Sequence, residues 1–296
     1  APMSSPPCPA SMTTVRPPGR RTSRSAGFCA RVPKASVEAR AKGRQRMNAV
    51  IIIPARLAST RLPNKMLLVA GGKPLLQHTY ERARAAKKAS RVVIATDDKR
   101  ILAAAAGFGA EAVMTDPAHK SGTERAAEAA RGLDADVIVN VQGDEPELDP
   151  VALDRLIALQ GVLRPFASTL VCPFPARAEL EDPAAVKAIL GKAVSAPDAG
   201  VAREALYFTR ALAPYPREGA ADRSNYFLHI GVYAFRPDAL QAFAHAPEGR
   251  LERVERLEQL RILEMGERMI AAVVGEAAPG IDTPEDFAAF RARMSK

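Results

Sequence analysis

Residues 137–146, which read VIVNVQGDEP, join a continuous apolar run to an acidic turn. Such a run is typical of a strand that is buried on both faces, as in a parallel sheet. Gly143 ends the predicted strand, and Asp144 and Glu145 follow it before Pro146. Ligands of open α/β sheets bind at the carboxyl ends of such strands. The acids are therefore expected either to hold a metal ion or to form a polar turn after a core strand.

The first half of the chain alternates the patterns of strands and helices. Strands are predicted at 48–54, 91–96, 110–114 and 136–141. Helices are predicted at 74–89, at 99–108, from a cap at Ser121 or Thr123 to residue 131, and from 150 onwards. This alternation predicts a parallel, doubly wound α/β sheet.

The second half has a different texture, with short strands predicted at 167–172, 186–190, 205–208 and 226–235 and a connection at 191–204. These strands would add antiparallel members to the sheet and a lid or dimer arm. One helix is predicted within 247–266 from the spacing of Val254, Leu257, Leu260 and Leu263. Glu258 and Gln259 lie beside this apolar stripe and are expected either to be solvated or to point into a cleft.

The chain closes with a predicted strand at 269–274 and a final helix that ends near residue 294. Asp282 stands just before this helix, and Glu285 follows three residues later, which is the spacing of a capping box. Asp282 is therefore expected either to cap the helix or to be available to a ligand.

The loop after the first predicted strand, ARLASTRLPNKMLL at 55–68, carries Arg56, Arg61 and Lys65, with hydroxyl residues at 59 and 60. Three cations in ten residues at the end of a buried strand predict an anion-binding loop. Neither a Walker P-loop nor a Rossmann glycine fingerprint is present in the sequence. Triphosphate binding is the preferred interpretation, and a solvated basic loop is the alternative.

Charge divides the chain at residue 46. Residues 1–46 hold ten of the 42 lysines and arginines but one of the 33 acids, which leaves 32 residues of each sign in 47–296. A body without net charge does not support nucleic-acid binding. Residues 1–46 are predicted to be a disordered basic leader, either an organellar transit peptide or the product of an upstream start before Met47. Residues 47–296 would then form one catalytic domain.

Cysteine content and hydropathy limit the compartment. Three widely spaced cysteines suggest neither a disulfide framework nor a zinc site and suit a reducing compartment. No apolar run approaches the roughly 20 residues that a transmembrane helix needs, so membrane insertion is not expected. The cytoplasm is the expected location, with organellar targeting by 1–46 as the alternative.

Eight segments taken together resemble one enzyme family. They are IIIPARLASTRLPNKML, RVVIATDD, HKSGTERAAE, VIVNVQGDEP, ALYFTR, NYFLHIGVYAFR, ERVERLEQLRILEMGER and PGIDTPEDF, in that order. In this order they resemble the 3-deoxy-manno-octulosonate (Kdo) cytidylyltransferases, also called CMP-Kdo synthetases. The resemblance implies a Rossmann-like, GT-A-like nucleotidyltransferase fold with a mixed, mostly parallel sheet and a smaller antiparallel or dimerisation region. It also implies a homodimer, Mg²⁺, and the transfer of CMP from CTP to Kdo for lipopolysaccharide biosynthesis.

The resemblance assigns roles to individual residues. CTP would be bound by Arg56, Arg61, Lys65 and Ser121, with Arg56, Lys65 and Asp144 as the catalytic residues. Magnesium would be held by Asp144 and Asp282. Contacts to the sugars would come from Arg125, Gln142, Arg210, His229, Tyr233, Glu258 and Gln259.

Some features depart from the family pattern or leave alternatives open. Asn64 replaces a glycine that is common in the phosphate-binding loop, and asparagine tolerates left-handed backbone better than most residues. A cytidylyltransferase for another 2-keto-3-deoxy sugar acid, such as an acylneuraminate, is the nearest alternative. A glycosyltransferase would normally show a D-x-D motif, whereas the acids here are adjacent. A non-catalytic nucleotide-binding module is the alternative from a different class.

Overall fold

The computed structural model describes residues 47–57, 61–176 and 178–295. The predicted leader at 1–46 lies outside the described residues, as do the two hydroxyl residues of the basic loop, 59 and 60.

The described residues form the following strands and helices. The strands are β1 (Ala49–Ala55), β2 (Val69–Ala70), β3 (Lys73–Pro74), β4 (Ala89–Thr96), β5 (Glu111–Met114), β6 (Val137–Val141), β7 (Ala167–Pro173), β8 (Lys187–Val194), β9 (Ala202–Thr209), β10 (Phe227–Phe235) and β11 (Met269–Val273). The helices are α1 (Leu75–Arg84), α2 (Lys99–Gly107), α3 (Gly122–Ala130), α4 (Pro150–Leu163), α5 (Pro237–His245), α6 (Arg250–Glu255), α7 (Leu260–Glu264) and α8 (Pro284–Met294). Short 3₁₀ turns occur at Lys65–Leu67 and Arg223–Asn225.

Nine strands form one mixed sheet in the order β5-β4-β1-β6-β10-β7-β11-β9-β8. The first four are parallel to one another, as the alternation predicts. Strand β10 then joins β6 and β7 in antiparallel orientation, and β8 returns to pair with β10. The predicted α/β class with antiparallel additions is therefore confirmed.

Side chains of β1 show why both faces of the sheet are covered. Ile51 and Ile53 pack into the core that also contains buried residues of α1, α2 and α4. Val50 and Ile52 pack into the opposite core, with buried residues of α3, α5 and α7. A strand with apolar side chains on both faces needs helices on both sides, which accounts for its continuous apolar sequence.

The predicted helix within 247–266 is wrong in its continuity. Helix α6 ends at Glu255, the next residue Arg256 has a left-handed backbone with φ 53°, and α7 starts only at Leu260. Val254, which was expected to face the core, is 74% exposed. The predicted connection at 191–204 is also shorter than expected, because β8 continues to Val194 and β9 begins at Ala202.

The cap of the final helix is not Asp282. The Thr283 hydroxyl accepts a hydrogen bond from the Asp286 backbone N–H, and the Asp286 carboxylate accepts one from the Thr283 backbone N–H at 2.9 Å. This reciprocal pair is a capping box shifted by one residue from the predicted one. The Asp282 carboxylate is consequently not needed for capping.

The basic loop folds back onto the end of the chain. Leu62 and Leu75 form a small buried cluster with Ile281 and Phe290 of the C-terminal region. Asn64 adopts φ 55°, which confirms that asparagine serves at this left-handed position. None of the helices that the structure describes is long and apolar enough to cross a membrane.

Candidate active site

A cavity of about 360 Å³ opens at the carboxyl ends of β1 and β6. Open α/β sheets bind ligands at the carboxyl ends of their parallel strands. Its lining includes all the residues of the predicted nucleotide and metal sites, namely Arg56, Arg61, Lys65, Ser121, Asp144 and Asp282. Arg125 and Gln142, from the predicted sugar contacts, also line it.

Gly143 allows the basic loop to approach β6. A Cβ atom at this position would lie 2.8 Å from the Met66 sulfur and 3.2 Å from the Pro54 carbonyl oxygen. The first distance is shorter than real Cβ contacts and the second is tight, so a side chain at this position would displace the Met66 side chain. The glycine that ends the predicted strand therefore lets Met66 of the basic loop pack against it.

Lys65 brings three distant parts of the chain together. Its ammonium donates to Asp144 Oδ2 at 2.6 Å, to Asp282 Oδ1 at 3.0 Å and to the Ile281 carbonyl oxygen at 2.8 Å. The lysine side chain is 8% exposed, whereas the Asp282 side chain is 49% exposed. Arg61 also contacts Asp282, at 3.2 Å. Two carboxylates and a carbonyl therefore converge on one cation.

The adjacent acids of the QGDEP turn have different environments. Asp144 lines the cavity, whereas the Glu145 carboxyl lies under the C-terminal loop, where a Cβ atom at Gly280 would be 3.3 Å from it. Burial, together with the charges of Asp144 and Asp282, raises the pKa of Glu145 to about 8. Glu145 is therefore largely neutral at pH 7, and of the two adjacent acids it is Asp144 that faces the cavity.

Helix α3 points its N-terminus at the opposite wall of the cavity. Ser121 caps this helix by accepting a hydrogen bond from the Glu124 backbone N–H at 3.1 Å. The positive end of the helix dipole and its free N–H groups favour an anion or a polar ring at this point. Arg125, on the same helix, is 3% exposed and is held by Asp97 at 2.8 Å.

A second group of predicted residues is connected by side-chain hydrogen bonds on β10 and the segment before α7. The Tyr233 hydroxyl donates to Gln259 Oε1 at 3.1 Å, and Gln259 Nε2 lies 3.5 Å from His229 Nδ1. The rings of His229 and Tyr233 are 5.6 Å apart between centroids. The structure thus brings together His229, Tyr233 and Gln259.

Glu258 is connected to helix α3 by a side-chain hydrogen bond. The Thr123 hydroxyl donates to Glu258 Oε1, and Asn140 Nδ2 donates to Thr123 Oγ1 at 3.0 Å. Burial raises the pKa of the Glu258 carboxyl, and the hydrogen bond from Thr123 opposes this shift. Thr123, which bonds Glu258, lies two residues after Ser121 on α3. The Glu258 carboxyl is therefore buried and not solvated, and its position in a cleft stays a prediction.

Arg210 stands apart from both groups. Its guanidinium donates to the main-chain oxygens of Glu255 at 2.7 Å, Pro183 at 2.7 Å and Arg256 at 3.3 Å. Arg210 does not occur among the described residues that line the cavity. Its contact with an acidic sugar stays a prediction. In this structure the side chain connects the end of α6 to the loop before β8.

The sequence did not single out Thr123, Asn140 or Thr169. These residues support Glu258 and the group formed by His229, Tyr233 and Gln259. Asn140 gave a usable signal, because it is a polar residue inside a fully buried strand. The Thr169 hydroxyl oxygen lies 3.0 Å from His229 Nε2. Threonine is common in strands, so neither Thr169 nor Thr123 stood out from its sequence neighbours.

His229 is expected to stay neutral at physiological pH. Desolvation of the imidazole lowers its pKa from 6.5 to about 3. Between these values the unfolded chain binds the proton and the folded chain does not, so this group reduces the free energy of unfolding as pH falls from about 6.5 towards 3. In an NMR titration from pH 8 to pH 5, the ring signals of His229 should stay constant. A sigmoidal shift centred between pH 6 and 7 would contradict this assignment.

The cytidylyltransferase family model matches residues 50–269, which is most of the chain and includes β1 and β6. This chain belongs to the cytidylyltransferase family. This chain is 46% identical to a 3-deoxy-manno-octulosonate cytidylyltransferase from Rhodopirellula baltica. The match covers 84% of this chain and 99% of the relative. This chain is also 41% identical to an 8-amino-3,8-dideoxy-manno-octulosonate cytidylyltransferase from Shewanella woodyi, over 84% and 99% respectively.

A solved structure supports both the family and the fold of this cytidylyltransferase. It is a CMP:2-keto-3-deoxy-manno-octonic acid synthetase in complex with CTP, with a TM-score of 0.74 and 40% identity. The alignment covers 84% of this chain and 98% of the solved chain. The predicted enzyme class, a nucleotidyltransferase, and the predicted fold are therefore confirmed.

Proposed function

We propose that this cytidylyltransferase transfers CMP from CTP to the anomeric hydroxyl of Kdo and releases diphosphate. The observation that carries the proposal is the cavity in which Lys65, Asp144 and Asp282 meet beside Arg56 and Arg61. The relatives named for this reaction align over nearly their whole length. Activated Kdo would supply lipopolysaccharide biosynthesis.

The cations of the loop after β1 supply the charge that a nucleoside triphosphate needs. Arg56 and Arg61 are exposed and line the cavity, where they can contact phosphate oxygens, and Arg61 also pairs with Asp282. The N-terminus of α3 with Ser121 offers hydrogen bonds to the base or sugar of the nucleotide. Phosphoryl transfer depends mainly on positioning and charge neutralisation, so such a set of fixed donors is the main requirement.

Asp144 and Asp282 fit a magnesium ion, because they already hold one cation between them. In this structure the Lys65 ammonium lies between the Asp144 and Asp282 carboxylates and the Ile281 carbonyl oxygen. Magnesium prefers oxygen ligands and accepts few of them from the protein. Within the described residues no group of three or more His, Cys, Asp or Glu side chains could hold a metal. When bound, the ion would neutralise charge on the transferring phosphoryl group.

The sugar acid would lie between helix α3 and the group formed by His229, Tyr233 and Gln259. Neutral donors and acceptors of this kind suit sugar hydroxyls, whereas the buried Glu258 carboxyl is well placed to accept from a hydroxyl near Thr123. Arg125 and Gln142 line the cavity and would lie between the two substrates. Their role is to orient the attacking hydroxyl towards the α-phosphorus.

Release of diphosphate from CTP tests this proposal with three sugars in parallel. Kdo, 8-amino-3,8-dideoxy-manno-octulosonate and N-acetylneuraminate would each be supplied to the purified full chain with Mg²⁺. The highest kcat/KM is expected for Kdo. Preference for either other sugar would replace the proposed substrate, and absence of diphosphate release with all three would support a non-catalytic nucleotide-binding module.

The 8-amino sugar is the second candidate substrate, because a relative with 41% identity carries that name. The homodimer that the family resemblance implies and the cytoplasmic location that the sequence predicts belong to the same proposal. Light scattering on the purified chain and fractionation of the producing cells test these two points.

A further inference from the structure

Strand β10 contains a bulge between His229 and Tyr233. His229 pairs with Val171 of β7 and Tyr233 with Thr169, so that four steps along β10 span two steps along β7. Bulges of this kind re-aim side chains next to functional sites. Here the bulge shortens the distance between His229 and Tyr233 and brings their rings to 5.6 Å.

The Thr169 hydroxyl fills the gap that the bulge leaves. It lies 2.9 Å from the carbonyl oxygen of Val232 and 3.3 Å from that of Ile230, and it is fully buried. Carbonyl oxygens can only accept, so the single hydroxyl hydrogen of Thr169 is directed at the main chain. At its third contact, 3.0 Å from His229 Nε2, the hydroxyl oxygen must therefore accept.

The direction of every other hydrogen bond in the group follows from this contact. His229 carries its hydrogen on Nε2, and because the ring is neutral its Nδ1 is bare. The Gln259 amide must then present its NH₂ group to Nδ1, and its oxygen is left to accept from the Tyr233 hydroxyl. The main-chain carbonyls of the bulge thus set the polarity of four side chains.

We propose that Thr169 is a positioning residue that fixes His229 in the Nε2–H tautomer and so presents a hydrogen-bond acceptor, Nδ1, to the sugar acid. The contact between Nδ1 and Gln259 is long, at 3.5 Å, which leaves the lone pair available to a sugar hydroxyl. The identity of the sugar rests on the proposed function, whereas the tautomer does not. Opposite polarity would place a donor at the same point and favour a different set of ligand groups.

The tautomer is tested first in the ligand-free protein. Two-bond ¹H–¹⁵N correlations distinguish a protonated ring nitrogen from a bare one, and the chain has four histidines to separate. His229→Asn identifies the signal by its disappearance. The wild-type protein at pH 7.5 should show hydrogen on Nε2, and hydrogen on Nδ1 would overturn the proposal whatever the sugar substrate is.

Substitution then connects the tautomer to sugar binding. Thr169→Val leaves the ring N–H without an acceptor, so hydrogen on Nδ1 should become populated and the KM for Kdo should rise about tenfold. The KM for CTP should remain within about twofold, because the nucleotide cavity is not altered. Thr169→Ser keeps the hydroxyl and should restore both the wild-type tautomer and the wild-type KM.

Ser168→Ala is the matched control. Ser168 is the neighbour of Thr169 on β7, is equally buried, and bonds Gln160 on the opposite face of the strand. It should lower the melting temperature without changing either KM. A Thr169→Val variant that loses stability but keeps the wild-type tautomer and the wild-type KM for Kdo would show that the residue is merely structural. Failure of Kdo as a substrate would refute the proposed function and leave the NMR result standing.

Discussion

Asp144→Asn is expected to reduce kcat/KM for diphosphate release on the order of 100-fold, or ~3 kcal/mol of transition-state stabilisation. Asparagine keeps the shape of the side chain but removes the charge that pairs with the Lys65 ammonium and that the proposed magnesium ion would need. Lys65 retains Asp282 at 3.0 Å and the Ile281 carbonyl oxygen at 2.8 Å, so the fold should survive. Steady-state kinetics and thermal unfolding measured on the same preparation separate the two effects.

Glu147→Gln provides the matched control for this variant. Glu147 belongs to the same turn and forms an ion pair with Arg293 at the surface. Its substitution by glutamine removes the same charge as Asp144→Asn. Its kcat/KM should remain near the wild-type value, and both variants should shift Tm by no more than about 4 °C. A large loss of Tm in Asp144→Asn, with activity reduced only in proportion to unfolding, would assign Asp144 to the structure of the turn.

Arg261→Met is expected to cost about 3–5 kcal/mol of the free energy of unfolding. The guanidinium makes two hydrogen bonds to the Glu252 carboxylate, at 2.7 and 2.6 Å, and both side chains are only 10% exposed. It also lies 4.8 Å from the centre of the Phe243 ring. Methionine replaces the apolar contact but leaves the Glu252 charge buried without its partner. Urea unfolding monitored by circular dichroism measures the loss.

Arg268→Met removes the same charge from an exposed pair. Arg268 is 64% exposed and lies 3.1 Å from Glu204, so its loss should cost less than about 1 kcal/mol. Equal effects of the two substitutions would show that the buried pair has no special role. Arg261 follows Gln259 by two residues, so the KM for the sugar should also rise in Arg261→Met below its unfolding midpoint.

The sequence predicted the parallel half of the fold well, because each strand there is buried on both faces. The runs around Ile52 and Val139 have no competing interpretation at their length. The helix within 247–266 failed for a local reason. Its apolar spacing is compatible with one helix, but Arg256 takes a left-handed conformation that this spacing does not encode.

The candidate site was predictable only in part. The cations of the basic loop and Asp144 stand at strand ends, and their type and position indicate phosphate and metal chemistry without any knowledge of the partners. Asp282 could not be distinguished from a helix cap until Thr283 was seen to occupy that position. The contact between Lys65 and Asp282 joins residues 217 positions apart, which no local pattern encodes. The roles of the individual residues stay predictions until the variants are measured.

The ion pairs of Lys65 with Asp144 and Asp282 also have a consequence for a chain during its synthesis. A nascent polypeptide that has emerged only as far as β11 already contains the basic loop and the first carboxylate, but it lacks Ile281, Asp282 and the apolar anchor Phe290. Such a chain can display the cations of its loop without the second acid that the proposed metal ion needs. Catalytic competence would therefore appear only after α8 has left the ribosome, and shortened products of interrupted translation would be inactive.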